Sequence, residues 1–308
     1  MSPRRTKPNL TATIAGVEFA TPVWTASGTA GTGEEMEKHC DVRRLGALVT
    51  KSVSQAPRSG HPYPRTCETP SGMLNCIGLQ NKGIDAFIKE ELPRLRKMPT
   101  RAVVNIVGDE IAEYVELARR LSDQDGVDCL ELNLSCPNVA RGIDQGSDPA
   151  WVAECTSGVR AATQLPLFVK LTPNTNDIVS LARAAADSGA DAISAINTLV
   201  GMAVNYRTFQ PRLSNVTGGL SGPAIKPVAL AAVFKIARVV SIPVIGIGGI
   251  ATGLDAAEFL IAGASAVQVG TAIFRSPEAP VTIADELSDY MRSQQVERVA
   301  DLVGRIQV

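Results

Sequence analysis

A chain of 308 residues that is 45% hydrophobic and 20% charged, with slightly positive mean hydropathy, can bury a large core, which excludes a disordered tail or a small disulfide-stapled scaffold. Thirty Lys and Arg against 31 Asp and Glu leave a formal charge of −1. There is no basic surplus to neutralise a phosphate backbone or an anionic lipid surface, so nucleic acid is disfavoured as a main partner.

At a prior of about 150 residues per domain, the length leaves one or two domains open, although α/β barrels of this size fold as one. The first residues, Met1-Ser2-Pro3-Arg4-Arg5-Thr6-Lys7, are basic but lead into Pro8-Asn9 and an alternating segment rather than an apolar signal core. No export is expected, and the protein is placed in the cytoplasm. A hairpin is predicted at 11–14 and 17–19 across a Gly16 turn. Apolar runs then alternate with longer amphipathic segments. Strands are predicted near 23–26, 47–50, 102–107, 129–133, 167–170, 192–196, 244–247 and 266–269, and helices near 33–40, 84–97, 111–122, 149–162, 177–187, 223–239, 253–261 and 281–292. Eight strands each followed by a helix predict a (β/α)8 TIM barrel spanning residues 1–308 as one domain, with an N-terminal hairpin. The apolar stretch 229–240 is broken by Lys235 and Arg238 and falls short of the roughly 18 uncharged residues of a membrane span. Two long loops, 52–82 and 199–222, follow strand ends and are read as lids or substrate walls. A doubly wound open sheet is the structural alternative. Gly-rich turns after the last two strands favour the barrel.

Functional groups of such a barrel gather at the carboxyl ends of its strands, where this chain carries Lys51, Asn105, Asn133, Lys170 and Asn197. Either lysine alone could be a snorkelling surface residue. Two of them ending apolar strands, beside three asparagines, suggest instead an anion and a heterocycle whose edges are read by amides.

The stretch Glu131-Leu132-Asn133-Leu134-Ser135-Cys136-Pro137-Asn138 puts a cysteine in the loop just after a strand. A free cysteine is most often a buried small hydrophobe. Near a lysine, a thiol of pKa about 8.5 can also supply enough thiolate to act as a base. The remaining cysteines, Cys40, Cys67, Cys76, Cys129 and Cys155, show no CxxC spacing, and His39 and His61 are the two histidines. Structural zinc, iron–sulfur clusters and disulfides are therefore disfavoured on this chain.

Ile245-Gly246-Ile247-Gly248-Gly249-Ile250 and Val267-Gln268-Val269-Gly270-Thr271-Ala272 end the seventh and eighth strands. Their bare backbone amides, with the Thr271 hydroxyl, suit a phosphate. Gly218-Gly219-Leu220-Ser221-Gly222-Pro223-Ala224 leads into a helix with Pro in its first turn and adds further free amides. A phosphorylated cofactor or substrate is expected.

Thr50-Lys51-Ser52, Asn75-Cys76-Ile77-Gly78-Leu79-Gln80-Asn81, Asn133-Leu134-Ser135-Cys136-Pro137-Asn138, Val169-Lys170-Leu171, Ile196-Asn197-Thr198, Gly219-Leu220-Ser221-Gly222-Pro223-Ala224-Ile225, Gly248-Gly249 and Val269-Gly270-Thr271 together resemble the motif series of class 1 dihydroorotate dehydrogenases over almost the whole chain. Serine replaces Cys136 in the membrane-bound class. Asn197-Thr198 and the run 219–230 look more like the NAD-linked class 1B catalytic subunit than the fumarate-using class 1A.

The resemblance implies FMN held by Ser27, Lys51, Ser52, Asn105, Asn133, Lys170, Ile196, Gly222, Gly248, Gly249, Gly270 and Thr271. It implies a pyrimidine, dihydroorotate or orotate, held by Lys51, Asn75, Cys76, Ile77, Gly78, Leu79, Asn133, Asn197 and Thr198. Lys170 would sit beside the flavin N1/O2 edge, and Lys51 would face either the orotate carboxylate or the flavin. Cys136 is expected to act as the catalytic base on dihydroorotate. The resemblance also implies a homodimer joined into a heterotetramer by an electron-transfer subunit carrying FAD and a [2Fe–2S] cluster, with NAD as final acceptor. Alternatives are a class 1A homodimer using fumarate, a flavin-dependent dihydropyrimidine dehydrogenase, and a non-catalytic barrel that binds a phosphorylated ligand.

Overall fold

The computed structural model describes residues 7–134 and 145–308. Eight short strands form one parallel sheet: β1 (Val23–Thr25), β2 (Ala47–Val49), β3 (Arg101–Ile106), β4 (Cys129–Asn133), β5 (Leu167–Lys170), β6 (Ala192–Ala195), β7 (Val244–Ile247) and β8 (Ala266–Val269). Their hydrogen-bonded order is β1-β8-β7-β6-β5-β4-β3-β2. The seam between β1 and β2 is bridged differently: the Val49 N–H donates to Thr25 Oγ1 at 3.1 Å and the Gly46 N–H to the Val23 carbonyl at 3.0 Å. The sheet thus curls into the expected barrel, and helices follow its strands on the outside.

The strands read as continuous apolar runs because both of their faces are covered. Side-chain alternation sorts them. Val104, Leu130, Leu132, Val169, Ile193 and Val267 pack outward into the large core beneath the helices. Trp24, Val103, Cys129, Phe168, Ala192, Ile245 and Ala266 join a separate inner cluster with Ile14 and Phe19 of the N-terminal hairpin. That hairpin (Ala12–Ile14 with Val17–Phe19) brings Phe19 to 4.4 Å from the Trp24 ring, centroid to centroid, and so plugs the barrel at its amino end. Two residues further along, five of the eight strands make the next inward layer polar: Asn105, Glu131, Lys170, Ser194 and Gln268, all buried.

Three expectations change in detail. The predicted helix at 33–40 shrinks to Glu34–Glu37, because Asp41 starts a new 3-10 turn at Val42–Arg44 by accepting from the Arg43 N–H at 3.1 Å. The helix at 84–97 contains a π-helical turn, Phe87–Glu91, immediately before a turn that carries Pro93, which has no N–H to donate back. The two long loops are not merely loops. Leu199–Met202, Thr217–Ser221, Gly72–Asn75 and Thr66–Thr69 pair in that order as a four-stranded antiparallel sheet with its own small core of Leu74, Cys76 and Leu213. Its glycines hide it from pattern reading and also make it possible: a Cβ on Gly72 would lie 2.2 Å from the Ser221 carbonyl oxygen. Beyond it the pair Val204–Asn205 and Gln210–Pro211 forms an exposed crest bearing Tyr206 and Phe209. Among the described residues, no helix is long and apolar enough to cross a membrane.

Candidate active site

All eight strands run the same way, so their carboxyl ends present one polar surface. Alternation lifts Asn105, Glu131 and Lys170 into it from β3, β4 and β5. Ser52, just past β2, donates to Asn105 Oδ1 at 2.5 Å, and Asn133 Nδ2 donates to Ser52 Oγ at 3.3 Å. Asn197, past β6, donates through Nδ2 to Asn133 Oδ1 at 3.1 Å. Four of the predicted residues therefore form one chain of amides and a hydroxyl across the barrel mouth. Tyr114 fixes its centre from the helix Ile111–Ser122, donating its phenol to the Asn133 carbonyl at 2.8 Å.

Beneath this chain lies Glu131, fully buried. It accepts from Asn105 Nδ2 at 2.7 Å, Ser194 Oγ at 2.8 Å and Gln268 Nε2 at 2.8 Å. Lys170 Nζ stands 3.9 Å from its Oε1, and that lysine is 6% exposed. A buried carboxylate is tolerated when it is paired and its lone pairs are filled, as here. Sequence reasoning assigned no role to Glu131, Ser194 or Gln268. The signal was present, since each stands two residues after an inward-facing residue of the lower layer.

Lys51 is the second cation. It is partly buried, burial pushes its ammonium below the usual lysine range, and among the described residues no carboxylate lies within ion-pair distance. A Cβ built on Gly28, next to Ser27 past β1, would come within 3.4 Å of its Nζ. Such a desolvated lysine suits an incoming anion.

The Gly-rich turns meet one another. A Cβ on Gly248 would lie 2.7 Å from Ala229 Cβ, and one on Gly222 2.8 Å from Gly72 Cα. Thr271 donates to Ser221 Oγ at 2.7 Å, tying the turn after β8, where Gly270 sits, to the loop sheet. Lys226 is engaged elsewhere, bound to Asp255 at 2.7 Å and Glu258 at 3.0 Å, so the bare backbone of these turns is what they offer to a phosphate. The cradle and the two cations fit a phosphorylated, partly anionic heterocycle such as FMN.

The predicted substrate segments meet at Gly219, where the side chain is missing for a reason. A Cβ there would lie 2.2 Å from Thr198 Oγ1, while Asn75 Nδ2 donates to the Gly219 carbonyl at 3.3 Å. Gly78 and Leu79 both have positive φ, 72° and 55°, and make a tight turn held against His61, whose N–H donates to the Ile77 carbonyl at 3.2 Å. Cys76 turns its sulfur into the small core, 3.8 Å from Ser214 Oγ, and its backbone is engaged as well: its N–H donates to the Arg65 carbonyl at 2.8 Å and its carbonyl lies 3.2 Å from His61 Nδ1. Ile196 is buried and continues the ladder, donating to the Ile247 carbonyl at 3.0 Å. Two anchoring residues escaped sequence reasoning. Asn174 donates to the Thr198 carbonyl at 3.1 Å and accepts from the Val200 N–H at 2.9 Å. Asn81 accepts from the Ser54 and Gly83 N–H groups at 3.2 and 2.8 Å.

Cys136 lies outside the described residues. Burial holds three other cysteines in the thiol form: it raises Cys40, pushes Cys155 up to about 12 and drives Cys129 further still.

Comparison with known proteins bears on the family and the fold. A relative from Pelobacter propionicus, named dihydroorotate dehydrogenase B (NAD(+)), catalytic subunit, is 52% identical over 302 residues, which is 98% of this chain and 99% of that protein. A relative of the same name from Alkaliphilus oremlandii is 49% identical over 302 residues, 98% and 100% of the two chains. The crystal structure of a DHODH from Eimeria tenella in complex with ferulenol superposes with a TM-score of 0.81 over 99% of this chain and 90% of that one; at 24% identity it supports the fold alone. The profile of the family described as dihydroorotate dehydrogenase matches residues 9–291, and the chain belongs to that family.

Proposed function

We propose that this chain is the catalytic subunit of an NAD-linked dihydroorotate dehydrogenase, oxidising (S)-dihydroorotate to orotate in cytoplasmic pyrimidine synthesis. The observation that carries the reading is the Asn105–Ser52–Asn133–Asn197 chain across the barrel mouth, flanked by Lys51 and Lys170. Amides that both donate and accept match the edges of a cyclic diamide, and a desolvated lysine matches its carboxylate. Relatives of nearly equal length and about half identity, named for this reaction, support the same choice.

FMN, bound at the mouth, would supply the acceptor for the hydride that leaves C6 of the substrate. The chain's own residues do the rest. The bare turns at Gly222, Gly248, Gly249 and Gly270, with Thr271, bind the cofactor phosphate. Lys170 brings positive charge to the edge where negative charge gathers on reduction. Asn133 and Asn197 fix the substrate ring, converting a loose encounter into an aligned one. Lys51 faces the substrate carboxylate or the flavin. Cys136, three residues past Asn133 in sequence, takes the C5 proton as thiolate on the face away from the cofactor.

Electrons delivered to FMN at this site would need an onward acceptor. Resemblance and the relatives' designation as NAD(+)-type catalytic subunits support a second subunit with FAD and a [2Fe–2S] cluster on a homodimer of this chain. Anaerobic addition of dihydroorotate to the FMN-loaded chain is expected to bleach the flavin spectrum, while the isolated chain fails to reduce NAD+ rapidly. A colourless protein that refuses FMN, or one that turns over uracil in preference to dihydroorotate, would overturn the reading.

A further inference from the structure

We infer that Glu131 is a positioning residue that lowers the reduction potential of the bound flavin by offsetting the charge of Lys170. The inference rests on the FMN reading above and goes beyond it, since it assigns the second half-reaction a determinant inside the barrel.

Three observations carry it. First, all three close partners of Glu131 donate: Asn105 Nδ2, Ser194 Oγ and Gln268 Nε2 lie at 2.7 to 2.8 Å. This is the complement of an ionised carboxylate, which only accepts. Second, Lys170 Nζ is 3.9 Å from Oε1, beyond hydrogen-bond length but within ion-pair range. The lysine's charge is therefore partly offset without spending its N–H donors on Glu131, which leaves them to the cofactor edge. Third, the anion is expensive to keep in a fully buried position where a neutral amide would fill the same space. Stability does not explain it, because buried ion pairs are poor stabilisers.

The consequence is electrostatic. With Lys170 uncompensated, the cofactor would meet a full positive charge, its reduced form would be favoured, and it would give up electrons reluctantly. With Glu131 ionised, the layer beneath the cofactor is close to neutral. Reduced flavin is then a stronger donor, as delivery to a low-potential acceptor requires.

The test is Glu131→Gln in the FMN-loaded chain, read by sulfite binding and by dye-equilibrated reduction potential. Sulfite adds its lone pair to flavin N5 and leaves negative charge at N1 and O2, so its affinity reports the local field without turnover. The variant can keep its hydrogen bonds: Gln268 Oε1 is buried without a partner among the described residues, and rotating that amide lets it accept from the amide introduced at position 131. We expect about tenfold or more tighter sulfite binding, from removal of a unit charge a few ångströms away in a partly desolvated site. The potential should rise, reduction by dihydroorotate should quicken and reoxidation should slow. Ser194→Ala removes a hydrogen bond to the same carboxylate but no charge, and sulfite affinity should hold. Unchanged sulfite affinity in Glu131→Gln, or an equal shift in Ser194→Ala, overturns the inference. Should Glu131→Gln fail to fold, the double variant Glu131→Gln/Gln268→Glu reverses the hydrogen bond and moves the anion to the Oε2 side, away from Lys170. It should tighten sulfite by a smaller factor, and no tightening overturns the inference equally. A wild-type chain that takes up no FMN would instead overturn the underlying reading.

Discussion

Gly249 turns back against Gly222 so closely that a Cβ at 249 would lie 2.9 Å from the Gly222 carbonyl oxygen. The same atom would lie 2.8 Å from the Lys226 backbone nitrogen, and Gly249 has a φ of 75°, so an alanine there is strained twice over. Gly249→Ala is expected to open the turn and cost about 1–3 kcal/mol of local strain, weakening FMN binding by about tenfold or more. Gly16→Ala is the contrast. Its φ is 78°, equally unfavourable to a side chain, but it lies in the N-terminal hairpin turn with open space around it, so it should bind FMN within about twofold of wild type by the same conversion. Flavin fluorescence titration of the two variants checks both, and equal affinities would contradict the cradle.

Below the polar layer, Trp24 is fully buried between Phe19, at 4.4 Å, and Phe168, at 6.1 Å, centroid to centroid. Removing it would leave a void that two stiff strand ends and a hairpin cannot close. Trp24→Ala should destabilise the fold by about 3–5 kcal/mol, the usual cost for a buried large aromatic. Urea unfolding measures it, and a loss below about 1 kcal/mol would show that the hairpin does not plug the barrel.

Much of this organisation was legible because it follows from periodicity. The eight apolar runs name the barrel strands almost residue for residue, since buried parallel strands admit few other patterns. Lys51, Asn105, Asn133, Lys170 and Asn197 stood out as polar interruptions at strand ends. Glu131, Ser194 and Gln268 share the inward layer of Asn105 and Lys170 but fall inside apolar runs, where polar residues read as noise until the inward register is known. The loop sheet was hidden for a different reason. Gly72, Gly218 and Gly219 bear no side chain to alternate, and Leu74 packs against Leu213 from a distant segment. Asn174 and Asn81 act on loop backbone, and nothing in sequence separates such an asparagine from a surface one.

The thiol chemistry gives a selective test. Burial keeps Cys155 and Cys129 protonated at neutral pH, with Cys155 pushed up to about 12. Iodoacetamide at neutral pH should therefore leave both unmodified while labelling Cys136, and dihydroorotate or orotate should protect Cys136 from it. Cys136→Ala should bind FMN normally yet lose roughly 10²–10⁴-fold in the rate of flavin reduction, the range for a positioned general base. Anaerobic stopped flow reads the rate directly, and a rate near wild type would reject Cys136 as the base.

Lys51 poses a conflict between stability and binding whose sign can be worked out. Burial lowers its pKa in the folded chain, while unfolding returns it to the ordinary value of about 10.4. Between the two values the unfolded chain binds more protons, so this group's contribution to stability rises with pH across that window. Its burial penalty is fully present below the depressed pKa and vanishes above the ordinary one. Lys51→Met keeps the packing and removes the penalty. The ligand-free variant should therefore melt above wild type at pH 7, and the gap should narrow as pH climbs through the window. Orotate affinity should move the opposite way, falling by about tenfold or more at pH 7 with the loss of a desolvated partner for the carboxylate. Paired melting curves across pH and orotate titrations at pH 7 check both arms. A variant that melts below wild type at neutral pH, or that binds orotate as well as wild type, would show that Lys51 is already neutralised and does not receive the substrate's charge.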